Sequence, residues 1–167
     1  MSPYVIAFRP VTAADLPAIQ DLQDQCFGPG RFARAAYRVR EGVPLFSRHC
    51  RCASIGEEVV ASLRMTPITI GGKGEALMLG PLAVTPRLAG QGIGRRLVAE
   101  ALEHAEADGI RLVLLVGDLP YYGRFGFTPV PEGQIVMPGP VNPARLLALE
   151  VTEGTLAAYR GEVKGVR

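Results

Sequence analysis

The most informative segment of the chain reads LGPLAVTPRLAGQGIGRRL, from Leu79 to Leu97. It starts with an apolar run typical of a strand and ends where a helix with regularly spaced apolar residues begins. Gly90, Gly92 and Gly94 lie between them at alternate positions. Glycine lets a backbone approach a ligand closely, and a helix N-terminus carries partial positive charge. The segment therefore predicts an anion site, suited above all to a pyrophosphate.

Other phosphate-binding loops do not fit this spacing. The dinucleotide fingerprint requires a further glycine where Leu97 stands, and the nucleoside-triphosphate loop requires a Gly-Lys-Ser/Thr ending that is absent. By itself, the loop leaves open a plain glycine-rich turn into a helix. Arg87, Arg95 and Arg96 flank it, and we expect them to face phosphate oxygens.

Outward from this segment, the pattern predicts a mixed sheet with helices on both sides. A strand is expected over residues 4–9, then a helix that Thr12 caps and Gly28 ends, and a second helix over residues 34–40. An antiparallel meander is expected over residues 50–55, 58–70 and 75–84.

The helix that starts at Ile93 has an apolar stripe and is expected to end at Gly109. Residues 110–116 are a nearly continuous apolar run, as in a strand covered on both faces. A strand–loop–helix–strand order at this spacing implies a parallel neighbour. The predicted fold class is α/β, or mixed α+β.

Length and composition favour a single domain over residues 1–167. The chain is 48% hydrophobic and 20% charged, which excludes a disordered protein. A net charge of +2, with arginines scattered among acids, argues against nucleic-acid binding. We attribute most of the excess of arginine over lysine to background composition.

The cysteines indicate a reducing compartment. Three cysteines are an odd number in a chain of this size, and no apolar leader or membrane span is visible, so a cytoplasmic protein that binds no membrane is expected. Cys26 is interpreted as a packing residue. His49 lies on the opposite strand face from Cys50 and Cys52, so we expect no metal site.

The glycine loop and a second block together resemble the GNAT family of N-acetyltransferases. Gly92 and Gly94 match the two glycine positions of the acetyl-CoA signature Gln/Arg-x-x-Gly-x-Gly/Ala, whereas Ala89 replaces the usual Gln or Arg. The second block, YYGRFGF at residues 121–127, resembles the element Tyr-x-x-x-Gly-Phe, in which Tyr122 is in register. The resemblance covers almost the whole chain and points to a small bacterial single-domain branch.

This resemblance implies a splayed, mostly antiparallel mixed sheet flanked by helices, with acetyl-CoA as cosubstrate between the fourth and fifth strands. It implies that the Leu82 N–H polarises the thioester carbonyl, that Val84 pairs with the pantetheine arm and that Tyr122 protonates the departing thiolate. A bulge is expected at Gly80-Pro81. The implied acetyl-CoA-binding residues are Leu82, Ala83, Val84, Ala89, Gly90, Gln91, Gly92, Ile93, Gly94, Arg95 and Arg96.

The implied function is acetyl transfer to a primary amine of a small molecule or a protein. The alternative is a catalytically silent module that binds CoA, and a homodimer is left open. Asp118 is interpreted as a helix cap rather than as a general base, which stays unassigned. Arginines at positions 31–40 are interpreted as a solvated helix face, with attraction of an acidic acceptor as the alternative; they are Arg31, Arg34, Arg38 and Arg40.

Overall fold

The computed structural model of the chain describes residues 5–27 and 35–167. The helices of this part are α1 (Leu16–Phe27), α2 (Ala35–Arg40), α3 (Ile93–Ala107) and α4 (Leu119–Tyr122). The strands are β1 (Ile6–Pro10), β2 (Arg51–Ile55), β3 (Glu58–Ile70), β4 (Lys73–Val84), β5 (Leu112–Val116), β6 (Thr128–Pro129), β7 (Ile135–Val136), β8 (Leu146–Glu150) and β9 (Gly161–Gly165). Tyr4, Gly28, Arg31 and Arg34, on which some expectations fell, lie outside the described residues.

The strands form one sheet in the order β1-β2-β3-β4-β5-β8-β6, and β9 continues the β2 edge of β3. The expected meander is confirmed, because β2, β3 and β4 are consecutive antiparallel neighbours. The expected parallel neighbour of the strand after α3 is β4, which pairs with β5. The predicted mixed fold class is confirmed.

Helices cover both faces of the sheet, because alternate residues of β5 enter two different cores. Val113 and Leu115 pack with the apolar stripe of α3, whereas Leu112 and Leu114 pack with Val39 of α2 on the opposite face. These four β5 residues are at most 1% exposed. A strand buried on both faces needs a continuous apolar run, which is the pattern seen in the sequence.

The predicted bulge lies where β4 leaves its regular register with β3. Leu82 is opposite Leu63 and Leu79 is opposite Met65, so two residues of β4, Gly80 and Pro81, face a single residue of β3. Proline has no N–H to donate to a ladder, which favours an irregularity at this point. The bulge bends β4 beside the place where it parts from β5.

The start of α1 is tied to the end of β1 by charged hydrogen bonds. Arg9 donates to both carboxylate oxygens of Asp15 at 2.7 and 2.8 Å, and the N–H of Thr12 donates to the same carboxylate at 2.8 Å. Within the described ranges, no helix has the length and apolar character needed to cross a bilayer.

Candidate active site

The candidate active site is the gap that opens where β4 and β5 part. The two strands pair in parallel only over residues 76–78 and 112–114. Beyond these positions, β4 follows β3 as far as Val84, whereas β5 ends at Val116. The resulting cleft has a volume of about 530 Å³ and is lined by β4, the end of β5, α4, α2 and the loop before β8. Its walls therefore include strand edges whose polar groups are available to a ligand.

Leu82 and Val84 turn their backbone polar groups towards the gap. The N–H of Thr85 donates to the C=O of Val60 on β3 at 2.8 Å. Hydrogen-bonded positions alternate along an antiparallel pair, so Ala83 also faces β3, whereas Leu82 and Val84 face away from it. The structure thus brings the N–H of Leu82 and both polar groups of Val84 to the β5 side, but not those of Ala83.

Side chains from α1 and α2 contact this edge of β4. Arg40 donates from Nη1 to the C=O of Gly80 at 2.8 Å, and the Cys26 thiol lies 3.5 Å from the C=O of Val84. Burial raises the pKa of the Cys26 thiol. Because the thiol stays protonated, Cys26 is a donor to the strand rather than a nucleophile, in line with its interpretation as a packing residue.

The glycine loop leaves open space in front of the α3 N-terminus. Gly90 and Gly92 have φ values of +78° and +81°, and a Cβ built on either would meet no atom within 4 Å. Helix geometry leaves the amides of the first turn without intrahelical acceptors. The N–H of Arg96 already donates to the C=O of Gly92 at 3.0 Å, so the set of amides that can face an anion ends at Arg95.

Gly94 joins this anion-binding end to the edge of β4. A Cβ built on it would lie 3.2 Å from the Tyr121 hydroxyl, 3.4 Å from Leu82 and 3.5 Å from Val84. The first turn of α3 therefore packs directly against the strand positions that face the gap. Of the remaining loop residues, Ala89 and Gln91 are exposed, and Ile93 is buried in the core.

The arginines beside the loop differ in whether a carboxylate of the protein already pairs with them. Arg87 donates to both carboxylate oxygens of Glu58 at 2.7 and 2.9 Å, and Arg96 donates to Glu100 at 2.9 Å. Arg95 is exposed and forms no ion pair within the described part of the chain. Of the three arginines expected to face phosphates, Arg95 is thus the one without a carboxylate partner in residues 5–27 and 35–167.

Tyr122 lies on the wall of the cleft opposite β4. Its ring makes edge contacts with Tyr121 and Phe127, at centroid distances of 4.8 and 5.9 Å. On its other side, a Cβ built on Gly117 would lie 2.6 Å from Cε2 of the ring. Asp118 occupies the N-cap position of α4, as expected, but its side chain makes no capping hydrogen bond, and its C=O accepts the N–H of Tyr122 at 3.0 Å.

Burial, with smaller contributions from Tyr121 and Asp118, raises the pKa of Tyr122 to about 12. The hydroxyl is therefore protonated throughout the physiological range and can donate a hydrogen bond into the cleft. The Asp118 carboxylate is exposed and lies 3.3 Å from Arg145. That ion pair engages the carboxylate and argues against its role as a general base.

Two residues of the site, Arg40 and Gly117, were given no place in the cleft by sequence reasoning. Arg40 was interpreted as part of a solvated helix face, with attraction of an acidic acceptor as the alternative, and it lines the cleft, whereas Arg38 is exposed. A signal was present: Arg40 follows Ala36 by four residues, and both lie on the cleft side of α2. Gly117 is required as glycine by the Tyr122 ring, and nothing local to the sequence indicates this contact.

The His49 and cysteine cluster has structural partners. His49 lies 3.4 Å from Asp108, and burial lowers its pKa, so it is neutral. The Cys50 sulfur accepts the N–H groups of Ser47 and Met65, both at 3.3 Å. In the ranges that the structure describes, no group of three or more His, Cys, Asp or Glu side chains comes close enough to hold a metal ion.

A sheet that splits beside a glycine-capped helix, with a tyrosine across the split, is the architecture of an acyl-CoA-dependent acetyltransferase. The family profile described as the acetyltransferase (GNAT) domain matches residues 7–130. The chain belongs to the GNAT acetyltransferase family. The predicted family and enzyme class are therefore confirmed.

Bacterial relatives share this assignment. The chain is 30% identical over 114 residues to the uncharacterized N-acetyltransferase YhbS of Escherichia coli, covering 68% of each chain. It is 26% identical over 132 residues to the uncharacterized N-acetyltransferase YjhQ of Escherichia coli, covering 77% of this chain and 73% of that one.

Solved structures show the same fold. The crystal structure of Escherichia coli YhbS in complex with CoA superposes with a TM-score of 0.83 at 23% identity, covering 99% of this chain and 92% of that one. A GNAT acetyltransferase from Brucella melitensis in complex with acetyl-CoA gives a TM-score of 0.63 at 25% identity, covering 87% and 96%.

Proposed function

We propose that the protein, as one domain over residues 1–167, transfers the acetyl group of acetyl-CoA to a primary amine. The observation that carries this proposal is that one gap in the sheet brings together a strand N–H, a protonated tyrosine and a helix N-terminus. These are the Leu82 amide, the Tyr122 hydroxyl and the first turn of α3. The CoA and acetyl-CoA complexes of the structural neighbours support the same cosubstrate.

The residues present fit acetyl-CoA. Amides after Gly92, together with Arg95, would hold the pyrophosphate, because the loop offers open space there and Arg95 has no competing carboxylate in the described residues. Ala89 has no polar side chain to add a contact, so the phosphates would rely on these amides and Arg95. The N–H of Val84 faces away from β3 and would bond a pantetheine carbonyl as a neighbouring strand does. The C=O of Val84, which accepts the Cys26 thiol at 3.5 Å, has a second lone pair for a pantetheine N–H.

Acetyl-CoA would supply the acetyl group as a thioester. The nitrogen of a neutral amine attacks the thioester carbonyl, so a C–N bond forms and the C–S bond breaks. The N–H of Leu82 donates to the carbonyl oxygen as negative charge develops on it. The nitrogen loses a proton and the sulfur gains one, which balances the transfer.

Tyr122 is the residue of the described cleft suited to donate a hydrogen bond to the departing sulfur. A thiol ionises near 8.5, so full proton transfer from a tyrosine with a pKa of about 12 is uphill by roughly 5 kcal/mol. The proton lost by the amine must therefore replace any proton that Tyr122 gives up. The main contribution of the tyrosine is a hydrogen bond that stabilises the thiolate.

The test combines calorimetry with acetyl-CoA and a thiol-release assay over a panel of amines. Tyr122→Phe should lower kcat by about 100-fold, the lower range for a positioned acid, with unchanged acetyl-CoA affinity. Tyr159→Phe is the control, since its hydroxyl bonds Gly74 at the other end of β4. Full activity of Tyr122→Phe would transfer the role to Tyr121 or to water.

The same assay separates transfer from the silent alternative. A binding module would bind acetyl-CoA and release no thiol with any amine. Absence of acetyl-CoA binding would reject both functions. The retained tyrosine in the cleft favours transfer, because binding alone requires no donor at the sulfur position.

A further inference from the structure

One guanidinium in the cleft has no negative partner among the residues that the structure describes. Arg40 lines the cleft and is largely buried, and the hydrogen bond from its Nη1 to the C=O of Gly80 leaves its other donors available. Its Nε atom is buried and has no hydrogen-bond partner within the described residues. A buried guanidinium that bonds only a neutral carbonyl is unfavourable unless an anion completes its environment.

The other charges of the cleft do not supply that anion. Asp118 is exposed and lies 3.3 Å from Arg145, so these two charges offset each other. Burial first, and then the charge of Arg64, another cation, lower the pKa of Arg40 to about 10, with a smaller opposing effect from Tyr37. The sequence of residues 28–34 contains no Asp or Glu. The cleft walls that are described thus carry a net positive charge centred on Arg40.

The position of this charge relative to the Leu82 amide limits the size of its ligand. Gly80, whose C=O Arg40 bonds, precedes Leu82 by two residues, which is at most about 7 Å of extended chain, and the bulge at Gly80-Pro81 shortens this span. An anionic group on Arg40 and an amine at the thioester carbonyl would then be only a few bonds apart. Free amino acids have this spacing.

We propose that the acceptor is a small amine that bears a carboxylate, such as a free amino acid, and that Arg40 binds this carboxylate. The inference rests on the proposed acetyl transfer and names its substrate class. A guanidinium offers two parallel donors that match the two oxygens of a carboxylate, and a single guanidinium balances a single negative charge. Arg40 would thereby orient the amine towards the thioester carbonyl beside Leu82.

The experiment compares free amino acids with their C-terminal amides, which keep the amine and side chain but lose the negative charge. The amine of an amide is less basic, which by itself favours acetylation of the amide. The protein should nevertheless prefer the acid by about 30-fold or more in kcat/KM, the lower end of what a buried charged partner is worth. Arg40→Gln should bring this ratio close to one, mainly through KM, with the rates on amides little changed.

Arg38→Gln is the matched control. It removes the same charge from the same helix, but from an exposed position, and should leave the ratio unchanged. Arg40→Gln need only keep its thermal unfolding transition to be informative. If it does not fold, Arg40→Lys replaces it, because lysine lacks the Nε–H and the planar fork, and an unchanged ratio in that variant would overturn the proposal.

Other outcomes overturn the proposal in distinguishable ways. An equal loss of kcat/KM on acids and amides in Arg40→Gln would show that Arg40 only holds the β4 bulge in place. Acetylation restricted to amines without a carboxylate would reject the substrate class and leave the proposed transfer intact. Acetyl-CoA binding without acetylation of any amino acid would likewise reject the substrate class. Loss of acetyl-CoA binding in the unaltered protein would instead reject the proposed function itself.

Discussion

Replacing Gly117 by alanine adds one methyl group beneath the ring of Tyr122. The new Cβ would lie 2.6 Å from Cε2 and 3.0 Å from Cδ2 of this ring, and 3.1 Å from a methyl carbon of Leu115. Gly117 does not have a left-handed φ, so alanine can adopt its backbone conformation. The perturbation therefore acts through the ring position and not through backbone strain.

The expected size of the effect follows from these distances. Carbon atoms in contact are ordinarily about 3.5–4.0 Å apart, so the ring must retreat by roughly 1 Å. Misplacing a reacting group by this amount costs up to about 100-fold, and we expect kcat to fall roughly 10- to 100-fold. Overpacking of this kind should also cost about 1–3 kcal/mol of stability, visible as a Tm lowered by roughly 2–10 °C.

Steady-state thiol release and calorimetry with acetyl-CoA measure the two halves of the site separately. The affinity for acetyl-CoA should be unchanged, because the atoms nearest to the new Cβ belong to Tyr122 and Leu115 and not to the loop around Gly92. Gly74→Ala is the control, since a Cβ there meets no atom within 4 Å. In a Tyr122→Phe background, Gly117→Ala should lower kcat little further, because the hydroxyl that it displaces is already absent. Full activity of Gly117→Ala, or an undiminished effect in that background, would refute the reasoning.

Two further predictions address the anion-binding loop and the N-terminal ion pair. Gly92→Ala should weaken acetyl-CoA binding at least about tenfold in calorimetry. The control Gly154→Ala has nearly the same φ and the same open surroundings, so both variants should lose about 1–2 kcal/mol of stability, but Gly154→Ala should keep its affinity for acetyl-CoA. Equal affinities of the two variants would show that the loop does not hold the pyrophosphate. Asp15→Asn should cost about 1.5–3 kcal/mol at neutral pH, because hydrogen bonds from Arg9 first, and from Thr12, hold the pKa of Asp15 well below its usual range. That stabilisation is present above the unfolded pKa near 3.9 and is lost as the pH falls towards the folded pKa. The Tm difference between the unaltered protein and Asp15→Asn should therefore shrink below about pH 4. A pH-independent difference would contradict the stabilising role of the ionised Asp15.

The elements around the glycine loop could be predicted because each leaves a local pattern. The stripe of α3 repeats with the helical period, and β5 is apolar without interruption because both of its faces are buried. The bulge at Gly80-Pro81 followed from the missing N–H of proline. None of these features depends on which distant residues pack nearby.

The acceptor side of the cleft could not be predicted in the same way. Helix α2 has only six residues, so its sequence does not determine which face is buried, and the packing of Val39 against the sheet decides it. Arg40 enters the cleft as a consequence of that packing. The tight contact between Gly117 and Tyr122 likewise exists only after α4 folds back across the end of β5.

This difference has a chemical basis. The proposed acetyl-CoA end of the cleft would use backbone groups, namely the amides after Gly92 and the edge of β4 at Val84 that faces away from β3. Such a site requires glycines and a strand, which leave a signature in sequence and tolerate Ala89. The proposed acceptor contact and the proposed donor to the departing sulfur would instead be side chains, Arg40 and Tyr122, which are carried by short elements and oriented by tertiary packing. Substitution of Arg40 should therefore change which amine is acetylated without changing acetyl-CoA affinity, and substitution of Gly92 should do the reverse.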